Sequence, residues 1–467
     1  MSKDLNRTIG KIYIQAQVCN ETNLLIASGN DENFDFEVVR DADNNPYIPA
    51  SSFAGMLRSH LEDHIDFSQS NSHQSAYDYL FGSKSTGDSD ANSSLQSHMI
   101  ISELYAIKDH TMTSFRDGVC IDYATGAAKK GEKYDYEFIQ PGQLFQLTIE
   151  VTIREHCSDH LEAILSIITY IAEAGKNSDL YQGAFTTHKF GQLTFQNINI
   201  KYFDFAKEGM AHIWYKFLQQ NAPAETSAQD LDISNKKFEE EYLHIKRVAK
   251  FKAEFEIVNR LIIGASELSK STDGKKEPTR SSLTNTEGHY IISAKSVRGA
   301  IRHRCHKILN TIIKSDPDAF IHHLFGWVDN TKNEGTPIKG RIKFKDTSIA
   351  HNNKYSQTRI KVCRLTGKTI EGALLNEDLV ERGIFSLDLE INNYSEKEIA
   401  LVMMALKDMA NQDLAIGANK TIGRGYVKGL TLQIQYNNQE VLRWDGEKFY
   451  LDASKTIEKC LTENQFA

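Results

Sequence analysis

The segment Tyr47–Arg58 reads YIPASSFAGMLR, and Tyr290–Arg302 reads YIISAKSVRGAIR. Matching Gly55 to Gly299 and Arg58 to Arg302 sets the two 244 residues apart, since 299 − 55 = 302 − 58 = 244. The pairing extends outward in both directions. LFG at Leu80–Gly82 recurs at Leu324–Gly326, again 244 on. Thr125-Gly126 recurs as Thr366-Gly367, 241 on, and a glycine follows each five residues later, Gly131 and Gly372. PGQLFQLTIEV, with Phe145, recurs as RGIFSLDLEI, with Phe385, 240 on. DLYQGAFTTHKFGQL, from Asp179, recurs as DLAIGANKTIGRGYV, from Asp413, 234 on. Blocks that keep their order while the offset drifts slowly are the mark of one domain written twice. The expected division is a first domain at 1–215, a charged linker at 216–249, and a second domain with a tail at 250–467.

The periodicity of each copy predicts an α+β fold. Lys11–Val18 and Lys252–Val258 alternate apolar and polar residues, as half-buried strands do. Phe53, Leu57, Leu61 and Ile65 form a helical stripe. So do Val297, Ile301, Cys305, Ile308 and Ile312. Leu144–Ile153 and Gly383–Ile391 read as strands, and Asp159–Ala174 and Ser395–Asn411 as helices. Strands followed by helices, twice, suggest two tandem RRM-like (ferredoxin-like) domains. Asp122–Ile139, DYATGAAKKGEKYDYEFI, predicts a hairpin with a Gly/Lys-rich tip that projects from the body. Arg359–Phe385 repeats it.

Composition narrows the functional classes. The chain has 467 residues, and 54 Lys plus Arg against 62 Asp plus Glu give 54 − 62 = −8. That balance is not a wholesale basic coat, yet it leaves room for a local basic groove. No apolar run reaches membrane-helix length, and the polar start is unlike a signal peptide, so no membrane partner is expected. Six scattered Cys without a C-x-x-C pair fit a reducing cytoplasm and exclude an obvious zinc ribbon. G-x-S-x-G, H-E-x-x-H and the P-loop pattern are absent.

Three features carry chemistry suited to an anion. Each helix start offers unpaired N–H groups and a partial positive charge. Ser51 and Ser52 are candidate caps of the first helix, with Arg58 a turn or more on. Lys295, Ser296, Arg298 and Arg302 surround the second start. Arg298 and Arg302 lie four apart, so they share a face opposite the apolar stripe, free for phosphate. An ordinary capped helix with a solvated charged side uses the same residues. Next come the glycine loops. Gly417–Gly425 combines backbone freedom with Asn419, Lys420, Thr421 and Arg424. Gly183–Gly191 keeps His188 and Lys189 with fewer glycines. A tight turn into a strand uses the same residues. Finally, the hairpins bear basic and aromatic residues that suit stacking on, or wedging into, nucleic acid. Asn30–Asp41, NDENFDFEVVRD, supplies carboxylates beside the first motif, Asp35 among them.

As a set these blocks resemble the RAMP superfamily of CRISPR-associated proteins. VVRDADNNPYIPASSFAGMLR is similar to that family's segment ending in I-P-G-S-S-L-K-G-x-L-R. LFG, the TG segment and GANKTIGRGYV resemble its further signatures. A chain with two such domains resembles the tandem, fused backbone subunit of type III-D-like effector complexes. The resemblance implies an RRM-like core with a thumb hairpin in each copy. It implies guide-RNA phosphates gripped by the helix starts and glycine loops, pairing with a complementary target RNA, and assembly with other RAMP-family subunits in a prokaryotic cytoplasm. It further implies cleavage of target RNA beside a flipped nucleotide by an aspartate six residues before the Asp of an Arg/Lys-Asp pair. Asp35 lies six before Asp41, which makes it the candidate catalyst and Mg²⁺ or other divalent-cation ligand, with Asp31 as runner-up. In the second copy Thr279 falls opposite Asp35 and Asp273 is the nearby acid, so that copy is expected to bind RNA without cutting. Ala54 stands where the family has a basic residue. Two alternatives remain at this stage, a purely structural RNA-binding subunit and a stand-alone guide-processing ribonuclease with His-based, EDTA-resistant chemistry.

Overall fold

A computed structural model describes residues 7–28, 35–83, 95–107, 112–122, 125–220, 229–230, 238–244, 246–264, 280–285, 287–312, 316–327, 337–437, 439–451 and 457–459. Its contacts divide the chain into two units. The first holds residues 1–114, 136–186 and 190–245. The second holds 246–467 together with Phe115–Asp135 and Thr187–Lys189. A hairpin and a loop segment of the first repeat thus fold with the second repeat.

Each repeat is a ferredoxin-like α+β fold. In the first unit Thr8–Asn20 is the central strand. It pairs antiparallel with Leu144–Arg154 on one side and Gln192–Asp204 on the other, and Met99–Ile101 extends the sheet beyond Leu144–Arg154. In chain order the four main strands lie 4-1-3-2, the order of a split βαβ pair. Two helices follow the first strand, α1 (Ala50–His64) and α2 (Asn71–Phe81). Leu144–Arg154 leads to α3 (Leu161–Lys176), and α4 (Met210–Gln220) follows the last main strand. The α1 stripe is sealed in the core: Phe53, Leu57 and Leu61 are fully buried, and Ile65 caps the end. Burial of that kind contributes roughly 1.5–3 kcal/mol per side chain.

The second unit repeats the plan. Val248–Ile257 pairs antiparallel with Ile384–Asn392 and with Val427–Tyr436, and Ile342–Phe344 extends the sheet beyond Ile384–Asn392. Its helices are α5 (Ala294–Ile312), α6 (Pro317–Phe325) and α7 (Glu396–Ala410). Ser395 and Glu398 form a capping box at the start of α7. In α5 the stripe turns on Leu309, which is fully buried, while Ile308 and Ile312 sit at its margin.

LFG proves to be a helix end. Gly82 and Gly326 cap α2 and α6 with φ of 80° and 82°. A Cβ on either would stand within 2.8 Å of backbone, on Leu95 O and on Gly340 N, so only glycine closes the turn there. The hairpins are built from Thr113–Ile121 with Ala128–Ile139, and Lys354–Val362 with Thr369–Val380. The first turns at Asp122, whose carboxylate accepts from Thr125 N and Oγ1. Lys129, Lys130 and Gly131 therefore lie in its returning strand and not at its tip. Part of the expected linker is docked: Phe238 is buried against His73 and Tyr170 in the first unit.

Candidate nucleic-acid interface

The helix starts differ from the expected arrangement. Pro49 is the N-cap of α1, and neither serine caps it: Ser51 and Ser52 sit inside the first turn, exposed and half-buried. Proline fixes the extended entry, so the helix begins before either hydroxyl reaches the cap position. The first N–H instead meets a carboxylate, with Ala50 N donating to Glu103 Oε2 at 2.6 Å. In α5 Ala294 N donates to Asp346 Oδ1 at 2.8 Å. Glu103 and Asp346 are 243 apart (346 − 103), so both repeats place their own anion on the helix start. The sequence reading missed this pair, because a lone acidic residue some fifty positions downstream carries no local pattern. Ser296 Oγ lies 2.8 Å from Ser293 Oγ.

Arg58 is held within the first unit. Its Nε donates to Tyr77 Oη (3.0 Å) and Glu62 Oε1 (3.3 Å), and Tyr77 donates to the same carboxylate. Hydrogen bonding to Tyr77 is the main reason its guanidinium holds its proton more firmly than usual.

The second start is roofed, not open. In the second unit Arg116 of the first hairpin donates to Asp346 Oδ2 at 2.6 Å. Lys295 Nζ donates to Tyr134 Oη at 3.1 Å and lies 4.8 Å from that ring's centroid. Arg298 donates to the Phe325 carbonyl and lies over the Phe325 ring. Lys189 donates to Glu390 Oε2 at 3.0 Å. The face shared by Arg298 and Arg302 is therefore not free, because α6 and the hairpin of the other repeat cover it.

This packing crowds positive groups. Burial, and then Arg116, lower Lys295 to about 7, against the pull of Asp346. Burial and Arg302 lower Arg298 to about 10. His188 is held down to about 3 by burial, then by the charges of Arg298 and Lys295. The structure thus brings His188 of one glycine loop beside Lys295 and Arg298, more than a hundred positions away in the chain. Like charges that depress one another are relieved by an anion.

The two glycine loops share a backbone. Positive φ occurs at Gly183, Phe185, Lys189 and Gly191, and at Gly417, Asn419, Gly423 and Gly425. Each pair is 234 apart, as 417 − 183 and 425 − 191 show. Ala184 N bonds Leu25 O, and Ala418 N bonds Ile262 O. A Cβ on Gly191 would stand 1.8 Å from Gln182 O, and one on Gly425 1.9 Å from Ile416 O. The first loop has lost glycines and kept the path.

Side chains around the loops have diverged. In the second repeat Arg424 and Asn419 turn inward. Arg424 Nη1 reaches Glu377 Oε2 (2.8 Å) and its Nη2 reaches Gln357 Oε1 (2.7 Å). Asn419 Nδ2 reaches Glu377 Oε1 at 3.1 Å. Lys420 and Thr421 are exposed. An open cleft of about 640 Å³ lies beside the loop, lined by Asn259, Arg260, Gln357, Arg359, Arg382 and Arg424 among others. Arg260 stacks on Tyr355 with its guanidinium 3.6 Å from the ring centroid, and pairs with Glu381 at 3.4 Å.

Asp35 is exposed at a bend. Phe36, next to it, forms a parallel bridge with Tyr136 at the root of the first hairpin, and Phe36 O accepts from Glu137 N at 2.9 Å. Arg40 pairs with Glu137, and Asp41 closes a turn by accepting from Asp43 N and Asn45 N. Asp31, Asp273 and Thr279 lie outside the described residues. Among the described residues no three His, Cys, Asp or Glu side chains gather as a metal site. None of their helices is long and apolar enough to cross a membrane.

A family model, that of the RAMP superfamily, matches residues 20–194 and again 254–428. The chain belongs to the RAMP superfamily. The two matches, together more than half the chain, fall on the two ferredoxin-like repeats. No curated protein matches the chain. RAMP proteins bind RNA and other subunits in CRISPR complexes, and this tandem RAMP protein is accordingly a CRISPR-associated RNA-binding subunit.

Proposed function

We propose that this RAMP protein is the tandem backbone subunit of a type III effector complex, of the III-D kind. In this reading it holds guide RNA along both repeats, pairs it with complementary target RNA, and cuts the target with the first repeat. The observation that carries RNA binding is the crowded cation set of the second unit. Burial is the main cause throughout; after it, Arg298 and Lys295 hold His188 down, Arg302 lowers Arg298 and Arg116 lowers Lys295, and a polyanionic backbone supplies charge of the opposite sign. Ser51, Ser52 and Ser296 at the helix starts, Arg58 further along α1, Lys189, and Asn419, Lys420, Thr421 and Arg424 in and around the loops are the remaining proposed guide contacts.

Asp35 is the proposed catalytic residue. It is exposed beside the hairpin root, where a thumb that flips a nucleotide would present the adjoining phosphodiester. In the cut, the 2′-oxygen bonds to phosphorus as the bond to the 5′-oxygen breaks, giving a 2′,3′-cyclic phosphate and a 5′-hydroxyl. The proton leaves the 2′-oxygen and the departing oxygen gains one. Asp35 holds the 2′-hydroxyl or its proton in line, so positioning supplies much of the acceleration. One carboxylate suits Mg²⁺, which takes one or two protein carboxylates and completes its shell with water and phosphate. When bound, such an ion would offset charge developing on the phosphate.

The test is guided cleavage of a labelled complementary RNA by the assembled complex with Mg²⁺. Asp35→Ala is expected to abolish one specific cut and leave target binding unchanged, and EDTA is expected to abolish it too. An unchanged cut pattern would remove Asp35 from the mechanism. The second reading is a purely structural RNA-binding subunit, in which Asp35 is no more than an exposed carboxylate at a bend. It predicts no cut in either protein.

A further inference from the structure

Glu377 is the most enclosed carboxylate around the second glycine loop, with a side chain that is 0% exposed. Four donors converge on it. Arg359 grips it as a fork, Nε to Oε2 and Nη2 to Oε1, both 2.8 Å. Arg424 Nη1 and Asn419 Nδ2 complete the set. The hub joins three segments: Gln357 and Arg359 from one hairpin strand, Glu377 from the other, and Asn419 and Arg424 from the loop. Gln357, Arg359 and Arg424 line the cleft. Glu377 stands behind them.

Two guanidiniums share one carboxylate, so the hub carries one net positive charge. Burying such a set is costly unless geometry and partners are nearly complete. Arg359 leaves one Nη nitrogen, and Arg424 its Nε, without a bond to Glu377 or Gln357. Arg260 and Arg382 add to the same cleft against the single carboxylate of Glu381. A guanidinium whose orientation is fixed from behind, with an N–H left over at a positive cleft wall, suits a phosphate oxygen through a charge-assisted hydrogen bond.

We propose that Glu377 is a positioning residue for RNA on the second repeat: it orients Arg359 and Arg424 from behind so that both present donors to RNA phosphates in the cleft. This rests on the reading of the chain as RNA-binding. Charge alone predicts the opposite sign. Removing a carboxylate from a positive cleft would tighten RNA, whereas losing the orientation of two arginines loosens it.

The experiment measures binding of a labelled single-stranded RNA oligonucleotide to the full chain across a salt series, for wild type and Glu377→Gln. For single strands the slope of log K against log salt is about 0.7 per phosphate neutralised. Glu377→Gln is expected to weaken binding and flatten the slope by about 0.7–1.4, one or two phosphates. A partly misfolded sample lowers the active fraction without changing the slope, so the slope separates positioning from a merely structural role. A folded Glu377→Gln with the wild-type slope, or with tighter binding, overturns the inference and leaves RNA binding intact. Wild type that binds no RNA sinks the functional reading instead. If Glu377→Gln does not fold, Gln357→Met removes only the outer bond to Arg424. It must then flatten the slope by about 0.7, and no change overturns the proposal.

Discussion

At three equivalent positions the two repeats carry opposite chemistry on one backbone. The bridges Leu24 to Ile139 and Leu261 to Val380 align Tyr136 with Glu377, and the loop bonds align Phe185 with Asn419 and Phe190 with Arg424. In the second unit these positions form the hydrogen-bonded hub. In the first unit Tyr136, Phe185 and Phe190 pack as an aromatic cluster, with ring centroids 5.1 Å apart for Tyr136–Phe185 and 6.0 Å for Phe185–Phe190. Either solution joins a hairpin root to a glycine loop. The aromatic set does so through apolar burial and presents no charge, whereas the polar one fixes two cations at a cleft. Duplication kept the framework and specialised the joint.

The largest effects should come from mixing the two solutions. Tyr136→Glu places a carboxylate, as in the second repeat, among Phe138, Phe185 and Phe190. Tyr136 is buried, and no arginine stands at its loop counterpart, so the new charge lacks its partner. A loss of about 3–5 kcal/mol is expected in denaturant unfolding of the first unit. Glu377→Ala should cost the second unit a similar amount by leaving two guanidiniums unpaired. A Tyr136→Glu protein as stable as wild type would mean that the first joint tolerates charge, and the contrast would fail.

A smaller effect depends on acid. Burial alone would raise the Glu377 carboxyl, but hydrogen bonds and charge from Arg359 and Arg424 outweigh it and hold the group below its ordinary range. A depressed carboxylate contributes stability that is present above its unfolded pKa and lost as pH falls through the folded value. The stability gap between wild type and Glu377→Gln is thus expected at neutral pH and should narrow below about pH 4. Tyr136→Phe in the other joint should show a pH-independent difference across that range. Unfolding curves at stepped pH check both.

The duplicated framework was legible in the chain, and the joints were not. Offsets drifting from 244 to 234 marked homologous blocks, and the stripes of Phe53 and Val297 pointed to the core faces, because such patterns repeat along the chain. The ferredoxin-like class follows from strands and helices placed twice, whereas the 4-1-3-2 order rests on pairings between distant strands. Ser51 and Ser52 have the side chains of caps, but Pro49 holds the extended cap position and leaves both inside the first turn. What Arg298, Arg424 and Lys295 touch depends on which distant carboxylate, carbonyl or ring the fold brings near, and no spacing encodes that. The exchange of Tyr136 for Glu377 was hidden for a further reason. Sequence comparison seeks likeness: the offsets of 241 and 234 pair these positions, but residues so unlike give no sign that they play one part.

The smallest expected effect isolates the loop path from its side chains. Gly423 has φ of 81° and open space where a Cβ would stand, so Gly423→Ala meets no neighbour and costs only the left-handed backbone, about 1–2 kcal/mol. Its counterpart Lys189 already bears that strain at φ 53° and offsets part of it through Glu390. Gly425→Ala, with its Cβ 1.9 Å from Ile416 O, should cost distinctly more than Gly423→Ala. Gly191→Ala should match Gly425→Ala, because the first loop closes on Gln182 O in the same way. Unfolding midpoints of the three variants rank them. If Gly423→Ala proved as damaging as Gly425→Ala, tolerance at Lys189 would owe more to its ion pair than to the shared backbone.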